Sequence, residues 1–181
     1  MSVLHDAPRL ETVRLVLRAW RADDSEPFFA MMADPAVAEF LTSPQAPLDR
    51  IDAWRALALN VGHWALRGYG LFAVAEKESG AFVGRVGAWR PEGRTEIELG
   101  WGLARAHWGK GYALEAARAA GDWIFATQTP PRLASFVHVN NTRSQQLAAR
   151  LGMRATAETL HAGMPHAIWS VTREAWAAVR A

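Results

Sequence analysis

Val13, Leu15 and Leu17 alternate with Arg14, Val16 and Arg18, a period of two that predicts a strand. Asp24 or Ser25 is placed to cap a short helix through Ala33. Asp34-Pro35 is expected to stop it, because a residue before proline is driven out of helical conformation. Between the Pro44/Pro47 turn and Gly68, the residues Ile51, Trp54, Ala58, Val61 and Ala65 recur at spacings of three and four. That spacing predicts a helix whose apolar stripe faces the core. Strands are expected next over 71–76, 82–90 and 96–103, separated by the turn-like breaks Lys77-Glu78-Ser79-Gly80 and Pro91-Glu92-Gly93-Arg94. Together they read as an antiparallel meander. A glycine-rich loop leads into a helix over 112–126, with Leu114, Ala117, Gly121, Ile124 and Phe125 as its buried stripe. The run 134–139 is apolar on both faces, as an interior strand is. A short helix over 141–151 ends at Gly152, the residue type favoured at a left-handed helix terminus. Strands over 153–160 and 167–172 and a helix around 174–179 complete the pattern. The order predicts an α/β (α+β) domain with one central, mostly antiparallel mixed sheet of about seven strands and helices on both faces. Residues 1–9 are expected to be an N-terminal tail and 10–181 the domain.

Composition narrows the function classes. At 181 residues, 50% apolar and 21% charged, the chain is long enough for a real core. The absence of cysteine excludes a disulfide scaffold, a thiolate nucleophile and any cysteine-ligated metal. A net charge of +2, with acidic and basic residues interleaved, lacks the concentrated basic face of a nucleic-acid binder. No apolar run approaches the roughly 20 residues needed to span a bilayer, and the opening residues lack the features of a secretion signal. A cytoplasmic protein, with no direct nucleic-acid or membrane partner, is the expectation. Nothing in the pattern chooses between a monomer and a homodimer.

The most informative segment is Trp108-Gly109-Lys110-Gly111-Tyr112-Ala113, which follows a strand and opens a helix. Its glycines allow a tight turn and close approach to a ligand, and the helix start offers unpaired N–H groups and a positive dipole end. Such a loop suits a phosphate or pyrophosphate, although it is also what a plain glycine turn looks like. Two phosphate-binding spellings fail. A Walker loop needs Ser or Thr after Gly-Lys, and Lys110 is followed by Gly111. The dinucleotide fingerprint needs a third glycine, and Leu114 stands there.

The loop instead resembles the acetyl-CoA loop of the GNAT superfamily of N-acetyltransferases, written Arg/Gln-x-x-Gly-x-Gly/Ala, with Gly111 and Ala113 at its two small positions. Trp108 replaces the usual Arg or Gln, as in a branch that resembles the ribosomal-protein-alanine acetyltransferases (RimJ/RimL-like). Leu10-Glu11-Thr12 with Arg14 to Trp20 is similar to that branch's opening strand, and Glu115-Ala116-Ala117 follows the loop as in relatives. Asn141-Thr142-Arg143-Ser144 and Leu151-Gly152-Met153 are similar to its Asn-x-x-Ser and Leu-Gly-Phe segments.

The resemblance implies a sheet splayed at a cofactor cleft and acetyl transfer from acetyl-CoA, with no metal, to a primary amine. The acceptor would be a protein N-terminus or a small amine. It implies that the amides of Gly109, Lys110, Gly111, Tyr112 and Ala113 hold the pyrophosphate beside Trp108. Lys110 adds a point charge or is simply exposed. The strand edge at Trp101 and Leu103 would bond the pantetheine arm as an added strand does. Asn141 is read either as a pantetheine contact or as an N-cap, and Ser144 either as the general acid or as a first-turn serine bonded to its own backbone. An α-amine with a pKa near 8 is roughly 10% neutral at pH 7, so its base has little to do. Glu98 is the preferred end of a proton relay and Glu96 the runner-up, strand alternation putting both on one face; either also reads as an ordinary solvent-facing strand acid. With no cysteine to carry an acyl group, direct attack in a ternary complex is expected. A catalytically silent CoA-binding sensor or scaffold is the alternative.

His161 and His166 have no metal-ligand spacing; in relatives their loop lies near the acceptor. His138, on the interior strand, reads as a structural histidine. Of nine tryptophans, Trp54, Trp64, Trp123 and Trp176 are expected to pack from helices, and Trp20, Trp89 and Trp169 lie on strands or at their ends. Only Trp101 and Trp108 fall beside the implied cofactor path.

Overall fold

Alternation and turn chemistry place one twisted sheet at the centre of the molecule. The structure, a computed structural model, describes residues 7–161 and 163–179, so most of the expected N-terminal tail lies outside the described residues. The sheet is made of β1 (Leu10–Glu11), β2 (Leu15–Arg18), β3 (Leu71–Glu76), β4 (Phe82–Trp89), β5 (Glu98–Leu103), β6 (Arg132–His138), β7 (Arg154–His161) and β8 (Met164–Thr172). Their spatial order is β1-β2-β3-β4-β5-β6-β8-β7. Every neighbouring pair is antiparallel except β5 and β6, which are parallel and share a single pair, Glu98 with Ala134. The eighth strand is the two-residue β1, too short to leave a periodic signal. Val13, read from the alternation as part of the first strand, lies outside β2 and is 90% exposed.

Among the described residues six α-helices cover the sheet: α1 (Ser25–Ala33), α2 (Pro35–Leu41), α3 (Arg50–Arg67), α4 (Tyr112–Thr127), α5 (Thr142–Arg150) and α6 (Arg173–Ala178). Alternation along β3 shows the two cores they make. Phe72 and Val74 join Leu15, Leu17, Val86, Leu99, Ile124 and Leu133 in the core beneath α4. Ala73 turns the other way, to Phe28, Met32, Val37, Ala53 and Leu57 from α1, α2 and α3.

Two expectations change. Asp34-Pro35 ends α1 and also begins α2: Asp34 adopts an extended conformation, its carboxylate accepts the Ala36 amide at 2.9 Å, and Pro35 occupies the first turn. Proline is favoured there because the missing N–H would have no partner in any case. The same dipeptide therefore breaks one helix and starts another. The stripe on α3 is also rotated. Ile51, Trp54 and Val61 are 63%, 60% and 49% exposed, while Ala53, Leu57, Asn60, His63 and Trp64 are buried. Periodicity found a helix with apolar residues at helical spacing on two faces, and the less apolar face went inward, because Asn60 and His63 serve the interior. Trp54 accordingly does not pack as expected, whereas Trp64 does, 4.8 Å from the Phe72 ring and 5.5 Å from Trp123.

No helix among the described residues is long and apolar enough to cross a membrane.

This packing predicts a sharp contrast between two tryptophans of one helix. Trp64→Ala will cost about 3–5 kcal/mol of unfolding free energy in urea denaturation, with loss of the indole N–H bond to the Leu71 carbonyl. Trp54→Ala will stay within about 0.5 kcal/mol of the parent.

Candidate active site

Two glycines shape the loop before α4. Gly109 and Gly111 have φ of +75° and +79°, a region that favours glycine, and Gly111 is the N-cap of α4. The amides of residues 109–114 donate to no acceptor among the described residues. Six unpaired N–H groups beside a positive helix end make a cradle for an anion. Side chains from distant segments brace it. Glu115 accepts the Thr12 hydroxyl at 2.6 Å, the Arg14 amide at 2.8 Å and Arg14 Nε at 2.8 Å. Arg14 also donates through Nη1 to the Lys110 carbonyl at 2.9 Å. Burial opposes the Glu115 charge, but the Thr12 and Arg14 bonds outweigh it and hold the carboxyl below its usual range.

A cavity of about 400 Å³ runs from this cradle between α2 and α5. Gly109, Gly111, Tyr112 and Ala113 line it, with Trp101, Leu103, Trp108 and Asn141. The Lys110 side chain leaves it, with Nζ 3.9 Å from Glu76 and 5.7 Å from the Tyr112 ring centroid, so only the Lys110 backbone belongs to the cradle. Trp108 donates its indole N–H to the Leu103 carbonyl at 2.8 Å, and Arg143 stacks 4.7 Å from its ring.

The parting of β5 from β6 exposes a strand edge along this cavity. Ala104 N–H bonds the Val83 carbonyl at 2.9 Å, so in the β4–β5 register the polar groups of Leu99, Trp101 and Leu103 point away from β4, towards the gap. The Leu99 carbonyl takes the Ser135 hydroxyl at 2.7 Å and that of Leu103 takes Trp108. The amide and carbonyl of Trp101 and the amide of Leu103 remain, a short edge for a polar chain. Across the gap Asn141 caps α5, its Oδ1 accepting the Ser144 amide at 3.1 Å. Trp101 Nε1 donates to Ser144 Oγ at 3.2 Å, which leaves the serine proton free to be given elsewhere.

A second cavity, also about 400 Å³, opens on the far side of that junction. Phe40, Leu41, Trp101, Asn141 and Ser144 line both. Gly102 admits α2 at their border, since a Cβ there would stand 2.5 Å from Leu41 Cδ1. Glu98, on the same strand face, lines the second cavity, and burial pushes its carboxyl up to about 7 against the pull of Arg94, Arg85 and the Phe136 amide. Glu96 goes elsewhere: it lies before β5 and pairs with Arg132, whose Nε donates at 2.6 Å. The two glutamates are separated along one face rather than across two, since Ile97 between them is buried and Glu96 is held by Arg132 while Glu98 lines the cavity.

Three histidines line this cavity, and their partners assign their protons. His166 Nδ1 donates to the Met164 carbonyl at 2.9 Å, leaving Nε2 as an acceptor. His138 Nδ1 accepts the Asn140 amide at 3.1 Å, and His161 Nδ1 accepts from Arg94, so each carries its proton on Nε2. Burial, then Arg94 and His166, hold His161 below its ordinary pKa, and it stays neutral. His161 and His166 thus lie on the wall of this second cavity, and His138 lies there with them.

Sequence reading missed Arg143 and Arg150 in the first cavity and Arg85 and Asn60 in the second. A signal existed for two of them. Arg85 is the one charged residue in the otherwise apolar strand 82–89, and Asn60 sits on the 53, 57, 60, 64 stripe of α3.

Comparison with known proteins agrees with this architecture. Residues 14–154 match the family model described as an acetyltransferase (GNAT) domain, and the chain belongs to that family. It is 29% identical over 149 residues to the uncharacterized N-acetyltransferase p20 of Bacillus licheniformis, covering 80% of this chain and 82% of that protein. It is 37% identical over 91 residues to YkkB of Bacillus subtilis (strain 168), a match that spans 48% of this chain and 53% of YkkB. Among solved structures, an acetyltransferase from Agrobacterium tumefaciens str. C58 superposes with a TM-score of 0.82 at 28% identity, covering 96% of this chain and 99% of that one. The Mycobacterium smegmatis RimJ structure, in complex with CoA-disulfide, shares the fold at a TM-score of 0.74 and 18% identity, over 94% and 91% of the two chains. A structure of RimL, a ribosomal L7/L12 alpha-N-protein acetyltransferase, in complex with coenzyme A, does so at 0.76 and 16%, over 93% and 99%.

Arg14→Ala tests the brace under the loop. It will lower the melting temperature by roughly 2–8 °C, for about 1–2 kcal/mol of charge-assisted bonding lost, and will weaken CoA binding in calorimetry without touching the ligand directly.

Proposed function

We propose that this protein transfers the acetyl group of acetyl-CoA to a primary amine by direct attack within a ternary complex. One observation carries the reading: an amide-lined cavity and a cavity holding a raised-pKa carboxyl meet at Trp101, Asn141 and Ser144. Family membership supports the acetyl donor, and the CoA named in the RimL and RimJ structures fits the unpaired amides of the loop. By likeness to RimL and RimJ a protein N-terminal α-amine is one acceptor class, and a small amine is the other. The RimJ/RimL-like branch is supported by the shared fold and by the Trp-Gly-Lys-Gly-Tyr-Ala loop.

Acetyl-CoA supplies an activated thioester; everything else falls to the chain. The amides of residues 109–114 hold the pyrophosphate, and Arg143 and Arg150 add charge at the cavity wall. The free edge at Trp101 and Leu103 aligns the pantetheine arm as a strand would be aligned. Glu98 takes the proton that the attacking amine sheds as the C–N bond forms. Ser144 gives its hydroxyl proton to the departing sulfur as the C–S bond breaks, and water returns a proton from Glu98 to the serine. A thiolate with a pKa of about 8.5 leaves without much help, so the serine contributes modestly.

Thiol release with an amine panel tests the reading, and a protein that binds acetyl-CoA yet releases no thiol with any amine is the silent scaffold instead. Ser144→Ala will lower kcat by roughly tenfold, the low end of acid–base catalysis; unchanged turnover removes the serine from the mechanism. The carboxylate form of Glu98 is the active one, so kcat/KM will rise with pH through about 7. Glu98→Gln will lose that limb and about a hundredfold in kcat, leaving only the limb near 8 set by an α-amine acceptor. The raised pKa means that the folded state holds this proton more tightly than the unfolded one. Glu98 therefore erodes stability as pH rises from about 4.5 to 7, and Glu98→Gln will melt higher than the parent at pH 8 but not at pH 4.

A further inference from the structure

The acceptor cavity holds a half-buried cation that the transfer chemistry does not use. Arg85 projects from β4 on the face shared with Glu98, opposite Gly102. Its guanidinium makes one hydrogen bond, a long 3.4 Å contact from Nη1 to Asn60 Oδ1, and no ion pair among the described residues. Burial pulls its pKa down to about 10, with Glu98 as the only counter-charge that opposes the shift. Guanidinium groups are seldom enclosed without a carboxylate, because desolvation costs several kcal/mol unless an anion and further hydrogen bonds offset it. Asn60, 1% exposed, has a second unmet need: its Nδ2 is buried without a hydrogen-bond partner. Both residues line the same cavity.

The remaining wall does not satisfy them. The three histidines are fixed by Met164, Asn140 and Arg94. Arg94 adds a second cation near the wall, 4.3 Å from the Phe136 ring. Against two guanidinium groups stands one carboxyl, Glu98, which is half-protonated near pH 7 and too distant from Arg85 to form an ion pair. The cavity is thus short of negative charge and rich in unused donors. A guanidinium fork and an amide N–H₂ are the pair of groups that bind a carboxylate through several hydrogen bonds.

We propose that Arg85 and Asn60 form a carboxylate-binding subsite, and that the acceptor is a small amine that itself carries a carboxylate, of the amino-acid type. The proposal rests on the acetyltransferase reading above and narrows its acceptor. The zwitterion lies between opposite charges, its carboxylate on Arg85 and Asn60 and its amine directed to Glu98 and the junction at Ser144. At about 400 Å³ the cavity is of the size that encloses a small molecule.

Thiol release is measured with a panel of free amino acids, each beside its carboxamide, and with short peptides. The acids will be preferred over their amides by about a hundredfold or more in kcat/KM, since a site built for a polar group rejects the analogue lacking it. Arg85→Gln will raise KM for the acids by about a hundredfold and collapse the acid/amide preference to within a few-fold, while KM for acetyl-CoA stays within twofold. Asn60→Asp guards against a folding artefact. It places a carboxylate beside Arg85, so it will raise the melting temperature while raising KM for the acids. Calorimetry with the N-acetylated acids and their amides in the presence of CoA gives a readout independent of turnover, with binding of the acids weakened at least tenfold by Arg85→Gln. Equal use of acid and amide, an acid preference that survives Arg85→Gln, or turnover of peptides alone would each overturn the proposal. So would the absence of both acid turnover and acid binding in a protein that binds acetyl-CoA. Failure to bind acetyl-CoA at all, read by thermal shift, sinks the transferase reading and this proposal with it.

Discussion

A single residue pair joins β5 to β6, and the site depends on that meagre junction. Parallel strands that continued past Glu98 and Ala134 would consume each other's edge groups and leave nothing between them. Instead the Ser135 side chain takes the Leu99 carbonyl, a hydrogen bond that ends the ladder without leaving that oxygen unpaired. Beyond it the strands separate, α2 and α5 flank the gap, and Trp101 reaches across to Ser144. The cradle before α4, the exposed edge and the second cavity are three consequences of one interrupted ladder. Sheet order makes the interruption affordable, because β4 still holds β5 along six register pairs.

The charges around the gap follow a division of labour. Where a charge supports the fold it is paired closely, as Arg18 is with Asp24 at 2.7 Å and Arg14 with Glu115. Where a charge faces the second cavity it is kept apart from its opposite, as Arg85 is from Glu98. A closed ion pair there would be the more stable arrangement and the less useful one. Each group would be satisfied before any acceptor arrived. The close pairs brace the loop and the cores, while Asn60 Nδ2 and the amides of residues 109–114 are left unpaired at the two cavities.

Much of this was legible in the residues. The glycine spacing of 109 and 111 announced the anion cradle, and alternation located seven of the eight strands. The separated segments around Thr12, Arg14 and Glu115 looked like independent family signatures. The fold shows them to be one hydrogen-bonded assembly, which pattern reading has no means to see. The α3 stripe failed for a definite reason: helical spacing identifies an apolar face but cannot choose between two of them when the inward one carries Asn60 and His63. Glu98 and Glu96 are inseparable by parity, since only their partners divide them, Arg132 for Glu96 and the cavity wall for Glu98. Arg85 went unnoticed because a lone arginine in an apolar strand acquires meaning only when its partners are counted.

Gly100 has an unusual freedom. It lies on the floor of the second cavity between Glu98 and Gly102, and a methyl group there would stand 3.5 Å from Leu71 Cδ2 and 4.0 Å from Glu98 Oε1, ordinary contact distances. Gly102 next along the floor has no such room, and at Gly87, the register partner of Gly100, a Cβ would stand 2.3 Å from a backbone oxygen. A lineage drifting at this floor thus has one position at which it can shrink the acceptor space by a methyl group without disturbing the sheet. Change of diet in this scaffold has a low-cost route, and it runs through one hydrogen atom.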